Sequence, residues 1–144
     1  ENSHQSRKQD FCKNVLHLHG ELKKVCSEVD SRDVRLLEGW ELTEDMKDNY
    51  GRPLRPYIVW FGESVPNIEP AIELCEQADI MIIIGTSLNV YPAASLLNYT
   101  KKDCKKYLVD PNTVNIHDKN IVFVKQKAGI GVKQVVDEIL EIYL

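Results

Sequence analysis

Between Asp79 and Gly85 stand five consecutive apolar residues, Ile80-Met81-Ile82-Ile83-Ile84. A short, largely β-branched run with no polar position on either face predicts a strand buried on both sides, the condition of a parallel sheet covered by helices. The run stops at Gly85-Thr86-Ser87. In open α/β sheets ligands sit beyond the carboxyl ends of the strands, so this loop is the first candidate for a binding site.

The flanking patterns predict the rest of such a sheet. Ile68 to Gln77 carries Ile68, Ala71, Ile72, Leu74 and Cys75 at helical spacing and predicts an amphipathic helix leading into the strand. Ala93 to Tyr99 predicts a second helix, Lys106–Val109 and Ile121–Val124 two further strands around the turn Asp110-Pro111-Asn112, and Gly131 to Tyr143 a last helix. Upstream, Tyr57 to Phe61, closed by Gly62, predicts another buried strand. Val15 to Gly20 alternates, with Val15, His17 and His19 on one face, and predicts a strand that ends at a glycine turn. Such alternation of strand and helix predicts an α/β fold built on a doubly wound parallel sheet, from residues 15–20 and 56–144. Residues 1–14 are polar and unpatterned and predict an arm. Residues 21–55 are dominated by charge, with a turn run at Asn49-Tyr50-Gly51-Arg52-Pro53. They predict an inserted, loop-rich module.

Composition narrows the function. In 144 residues, 22 acidic and 18 basic side chains give a net charge of −4 with both signs interspersed, which argues against nucleic-acid or anionic-membrane partners. No apolar stretch approaches the roughly 18 residues of a membrane span, and the N-terminus has no apolar signal region, so a cytoplasmic setting is expected. The four cysteines, Cys12, Cys26, Cys75 and Cys104, form no C-x-x-C pair and are expected to be reduced thiols, without zinc.

Four segments, LHLHGELKKVCS, RPYIVWFGESVP, ADIMIIIGTSLNVYPAA and AGIGVKQVVDEIL, occur in an order and spacing that resembles the C-terminal half of the sirtuins, the NAD-dependent protein lysine deacylases. The resemblance runs from about Val15 to Leu140. It implies a partial Rossmann-like domain that holds NAD, with a small module inserted at residues 21–55 and an acyl-lysine protein or peptide as substrate. His19 matches the family's catalytic histidine, the general base for a ribose hydroxyl; an imidazole, with an ordinary pKa of about 6.5, suits that task. Without the motif, His19 would read as a half-buried strand-end histidine. Gly85, Thr86 and Ser87 match the NAD-contacting loop, Asp110 a ribose acceptor, and Ala128 with Gly129 the backbone beside adenine. The resemblance further implies that Gly62 and Glu63 on one side and Asn89, Val90 and Tyr91 on the other pair with an extended peptide. Val59 and Phe61 would wall the acyl-lysine slot, although by themselves they read as core.

This sequence departs from the family in two places. Most sirtuins hold zinc with two cysteine pairs in the small module, whereas only Cys26 stands near such a position here, so a metal-free module is expected. Without zinc, that module is expected to rest on packing of Leu36, Leu37, Trp40 and Leu42 and to be the most mobile part of the ordered chain. The family's glycine-rich diphosphate loop and its QN-I/V-D segment have no counterpart in this sequence. The expectation is a partial sirtuin chain, inactive alone, with an open sheet edge available to a partner chain or a second copy. The alternative is a non-catalytic remnant that binds peptide or nucleotide, or serves as an interaction module.

Overall fold

A computed structural model of the chain describes residues 14–86, 88–114 and 118–143. The chain divides between Asn67 and Ile68 into two compact units.

The first unit is an antiparallel sheet of β1 (Gly20–Ser27), β2 (Val34–Leu36) and β3 (Leu54–Ile58), in the order β2-β1-β3. The strand expected over Val15–Gly20 is a correction: residues 15–17 have no regular structure, Leu18 and His19 form a turn, and β1 begins at Gly20. Gly20 explains the shift. Its φ is +88°, and a Cβ there would lie 2.0 Å from the Tyr57 carbonyl oxygen, so the chain turns at Gly20 against β3 and begins pairing with it. Val15 and Leu16, upstream of the turn, are exposed.

The segment 21–55 is likewise not simply loop-rich, since it contains most of the sheet. Its charge hid β1, whose first half is solvated and whose Lys24 pairs with Glu21, while Val25, Cys26 and Ser27 at its end are buried. Leu36 and Trp40 do not pack this region; they are 73% and 86% exposed. Leu37 and Leu42 are half-buried, and a polar centre adds to them. The buried Asp48 carboxylate accepts hydrogen bonds from the backbone N–H groups of Tyr50 (2.8 Å) and Arg52 (2.9 Å) and from the Arg52 guanidinium. Burial opposes ionisation of Asp48, but these donors, together with the Ser27 hydroxyl, outweigh it and hold the carboxyl well below the usual range.

The buried strand expected over Tyr57–Phe61 is displaced to Leu54–Ile58, where it runs antiparallel to β1 and is only partly buried. Val59 and Trp60 lie past its end, and Phe61 is fully exposed rather than core.

The second unit follows its pattern closely. Helix α1 spans Ile68–Gln77 and buries Ala71 and Cys75. Strands β4 (Ile80–Ile84), β5 (Lys105–Val109) and β6 (Ile121–Val124) form a parallel sheet in that order, with Ile84 level with Val109 and Val109 level with Val124. Ala93–Tyr99 is a 3-10 helix, and α2 covers Ala128–Tyr143. The core gathers Tyr107, Val109, Val124 and Val135, with Ile80, Ile82, Val132 and Ile139 packed against them. Leu108 points to the opposite face of β5 and is also fully buried, so this strand is covered on both sides.

The strand buried on both faces is therefore β5, and not Ile80–Ile84 (β4), for which the sequence predicted it. Residues 80–83 of β4 are only partly buried and Ile84 is 46% exposed, because β4 is an edge of the sheet among the described residues. Helix α2 begins three residues earlier than the expected Gly131. Gly131 lies inside its first turn, where a Cβ would lie 2.6 Å from Val109 Cγ1.

Candidate functional site

In the first unit, one backbone contact organises the candidate residues. The Val59 N–H donates to the carbonyl oxygen of His19 at 3.0 Å, directly beyond the point where Gly20 pairs with Ile58. The glycine that lets the chain approach β3 thus also fixes where His19 sits. Its imidazole lies on an exposed turn, open to a ligand. Neighbouring His17 faces Glu21, with Nε2 3.7 Å from Oε2, and its carbonyl accepts from the Asn67 side chain at 2.7 Å. The Glu21 carboxyl is held below its ordinary value by the hydrogen bond from Lys24.

Past Val59 the chain makes a turn over residues 60–63, with Gly62 at φ +89°. The Glu63 N–H donates to the Trp60 carbonyl at 3.1 Å, and Glu63 Oε2 accepts from the Trp60 N–H at 3.0 Å, which closes the turn at both ends. Val59 and Glu63, with Glu28, Ser31, Arg55 and Tyr57, line an open cavity of about 260 Å³. Phe61 does not line it. This unit therefore ties His19 to Val59 by one backbone bond and closes the following turn, which holds Gly62, between Trp60 and Glu63.

In the second unit, the carboxyl edge of the parallel sheet gathers the remaining candidates. The Gly85 N–H donates to the Val109 carbonyl at 2.9 Å, and the Asp110 N–H donates to the Val124 carbonyl at 3.2 Å, so Gly85 and Asp110 leave neighbouring strand ends side by side. Gly85 has φ +65°, and open space lies where its Cβ would be. The Thr86 hydroxyl accepts from the Leu88 N–H at 3.1 Å, while Leu88 itself adopts φ +57°. Asp110 is buried, and its Oδ1 accepts from the Asn112 N–H at 2.7 Å. Ala128 opens α2, whose first turn meets Val109 and Val124 through Gly131. Ser87 lies outside the described residues. Asn89, Val90 and Tyr91 follow as an exposed segment that enters the 3-10 helix through the bond from the Ala94 N–H to the Val90 carbonyl.

A carboxylate, a hydroxyl and a glycine with open space at its Cβ position stand together at these strand ends, a set that can accept hydrogen bonds from a hydroxyl-bearing ligand and admit its close approach. No three His, Cys, Asp or Glu side chains among the described residues gather as a metal site. Cys26 is a fully buried packing group whose thiol is pushed up by that burial, with the Arg55 charge opposing. Among the described residues, no helix is long and apolar enough to cross a membrane.

A three-stranded parallel sheet with flanking helices in one unit, and a small antiparallel sheet with an exposed histidine turn in the other, place the chain in the α/β class. The family model described as "Sir2 family" matches residues 5–92, and the chain belongs to that family. It is 46% identical over 127 residues to an NAD-dependent protein deacylase of Bacteroides thetaiotaomicron, covering 84% of this chain and 54% of that protein. A solved Sir2 homolog–NAD complex superposes with a TM-score of 0.74 at 30% identity, covering 90% of this chain and 52% of the other. A Sir2–p53 peptide–NAD+ complex superposes with a TM-score of 0.63 at 26% identity, covering 90% and 55%. The chain spans about half the length of the curated relatives it matches. The partial Rossmann-like reading of the parallel sheet agrees with these neighbours.

Two contributors were missed by sequence reasoning. Arg55 reaches the 60–63 turn, and Gly20 sets the approach of His19 to Val59. The glycine directly after His19 was a usable signal for the second. Nothing in the local pattern pointed to the first.

Proposed function

We propose that this chain is the C-terminal part of an NAD-dependent protein lysine deacylase. The observation that carries the reading is the bond from Val59 to His19, which sets a candidate base beside a candidate acyl-lysine wall within one unit. NAD, when bound, supplies an electrophilic ribose carbon with nicotinamide as leaving group. His19 Nε2 or Nδ1 takes a ribose hydroxyl proton, Asp110 accepts from the adenosine ribose, and Gly85, Thr86 and Ser87 with the backbone at Ala128 border the dinucleotide. The main chain at Gly62 and Glu63 pairs with an extended peptide, and the exposed main chain at Asn89, Val90 and Tyr91 is a second peptide-pairing stretch. Val59 and Phe61 contact the acyl-lysine stem. The sheet domain of 15–20 and 56–144, the module of 21–55 and a cytoplasmic setting belong to the same reading.

The test is acetyl-peptide turnover with NAD by this chain assembled with the N-terminal half of its Bacteroides relative. His19→Ala is expected to lower turnover by at least about 100-fold. Turnover that survives the substitution overturns the mechanism.

A second reading is favoured by β4. Its composition is that of an interior strand, yet among the described residues it is an edge, and unprotected apolar edges pair with other chains. In this reading the chain associates through β4 with a second copy or a partner strand. Sedimentation checks it: concentration-dependent association is expected for the unaltered chain and not for Ile83→Lys, and a monomer throughout discards the reading.

A further inference from the structure

We propose that Arg55 is a positioning residue for acyl-peptide binding, its guanidinium clamping the 60–63 turn to the end of β3. The peptide-binding part of this statement rests on the deacylase reading above; the clamp itself rests on geometry alone. Arg55 belongs to β3, where its backbone is level with Cys26 of β1. Its side chain runs forward past the strand end. Nη1 donates to the Ile58 carbonyl at 2.9 Å, and Nη2 donates to Glu63 Oε1 at 3.0 Å. The other carboxylate oxygen of Glu63 accepts from the Trp60 N–H at 3.0 Å. One planar cation therefore joins the last residue of the strand to the carboxylate that closes the turn.

The position of the pair argues for more than a surface ion pair. The Arg55 side chain is 20% exposed and that of Glu63 38%, so the contact is partly shielded and both donors of the fork are engaged. The backbone of Arg55 is already held by its strand, whereas residues 59–67 belong to no strand or helix. That segment is tied by the Val59–His19 bond at its start, by the Asn67–His17 bond at its end, and by the Glu63–Trp60 pair between them. Arg55 connects the middle tie to the sheet. It fixes how the main chain of Gly62 and Glu63 is presented, and does so one residue away from the backbone contact of His19. A lysine could satisfy Glu63 or Ile58, but its single ammonium lacks the fork that spans both.

The experiment compares the unaltered chain with Arg55→Gln and Arg55→Lys. Three quantities are read: the thermal midpoint, amide exchange of Trp60 and Glu63, and affinity for a fluorescein-labelled acetyl-lysine peptide by anisotropy. Arg55→Gln is expected to speed exchange at Trp60 and Glu63 and to weaken the peptide, each by about tenfold, the size of one charge-assisted hydrogen bond. Amides of β1 should change little, and Arg55→Lys should fall between. Exchange at Trp60 and Glu63 that does not respond, or that rises only in step with β1 and a lowered midpoint, overturns the clamp. If the unaltered chain, assembled with the N-terminal half as above, binds no peptide while those two amides still respond to Arg55→Gln, the clamp stands and the deacylase reading falls.

Discussion

The two sheets of this chain are held by different physics. The parallel sheet is organised around an apolar cluster that includes Tyr107 and Val109, with Leu108 buried on the other face of β5, all three at 2% exposure or less, and this two-sided burial is its main support. The antiparallel sheet buries Val25 and Cys26 but leaves Leu22, Leu36 and Trp40 in solvent; its irregular 47–53 segment is tied by hydrogen bonds to Asp48. Apolar burial is non-directional and tolerates small shifts of neighbouring atoms. A structure that depends on a close backbone approach and on one carboxylate does not. Single atoms should therefore matter more in the first unit than its thin apolar core suggests.

The sharpest way to break this comparison is Gly20→Ala. A Cβ at 2.0 Å from a backbone oxygen cannot be relieved by a side-chain rotation, and the φ of +88° adds strain. The expected cost is about 4 kcal/mol, read as loss of amide protection in β1 and β3. Retained protection there would show that the approach of β1 to β3 is less exacting than drawn. Leu108→Ala comes next. It removes a fully buried side chain from the strand covered on both sides, and about 3 kcal/mol of destabilisation is expected in urea unfolding followed at β5 and β6 amides. A smaller difference is expected without mutation. Amides of residues 37–53 should exchange faster than those of β5, since that segment has exposed backbone and few apolar contacts. Equal protection would erase the distinction between the two units.

The same contrast explains what could be read from the sequence. In the second unit the apolar periodicity is the cause of the structure, so Ile68–Gln77, Ile80–Ile84 and Ile121–Val124 stand where their patterns placed them. Burial was less legible than position. Five apolar residues in a row identify a parallel strand, but whether it lies inside or at an edge depends on its neighbours, and β5 with two lysines is the more buried strand. Lys106 is tolerated there because its ammonium meets Asp118 at 2.9 Å, a pairing invisible at the level of a local pattern. In the first unit, the alternation in Val15–Gly20 suggested a strand one element too early, because period-2 patterning says nothing about whether a partner strand is present. Among the site residues, the strand-end positions Gly85 and Asp110 were legible from the sheet pattern. The roles proposed for His19, Val59 and Glu63 needed the family motif, and the clamp proposed for Arg55 needed the folded backbone.

The smallest expected effect concerns pH and isolates the polar centre of the first unit. The Asp48 carboxyl lies below its ordinary value of 3.8 in the folded chain, its ionised form favoured by two backbone N–H groups, the Ser27 hydroxyl and the Arg52 guanidinium. Between the folded and unfolded values, the unfolded chain binds more protons, so stability falls as pH falls. Asp48 should contribute fully above about pH 5, where the carboxyl is almost wholly ionised even when unfolded, and progressively less on further acidification toward the folded value. In Asp48→Asn that acid-dependent part is removed, because an amide does not titrate and presents one acceptor oxygen where the carboxylate presents two. Unfolding of the unaltered chain and of Asp48→Asn, followed at β1 and β3 amides across pH 3 to 7, should therefore give curves that converge as the acid limit is approached. Parallel curves would mean that the 47–53 segment is held by its own turn geometry, and that the contrast between the two units lies in burial alone.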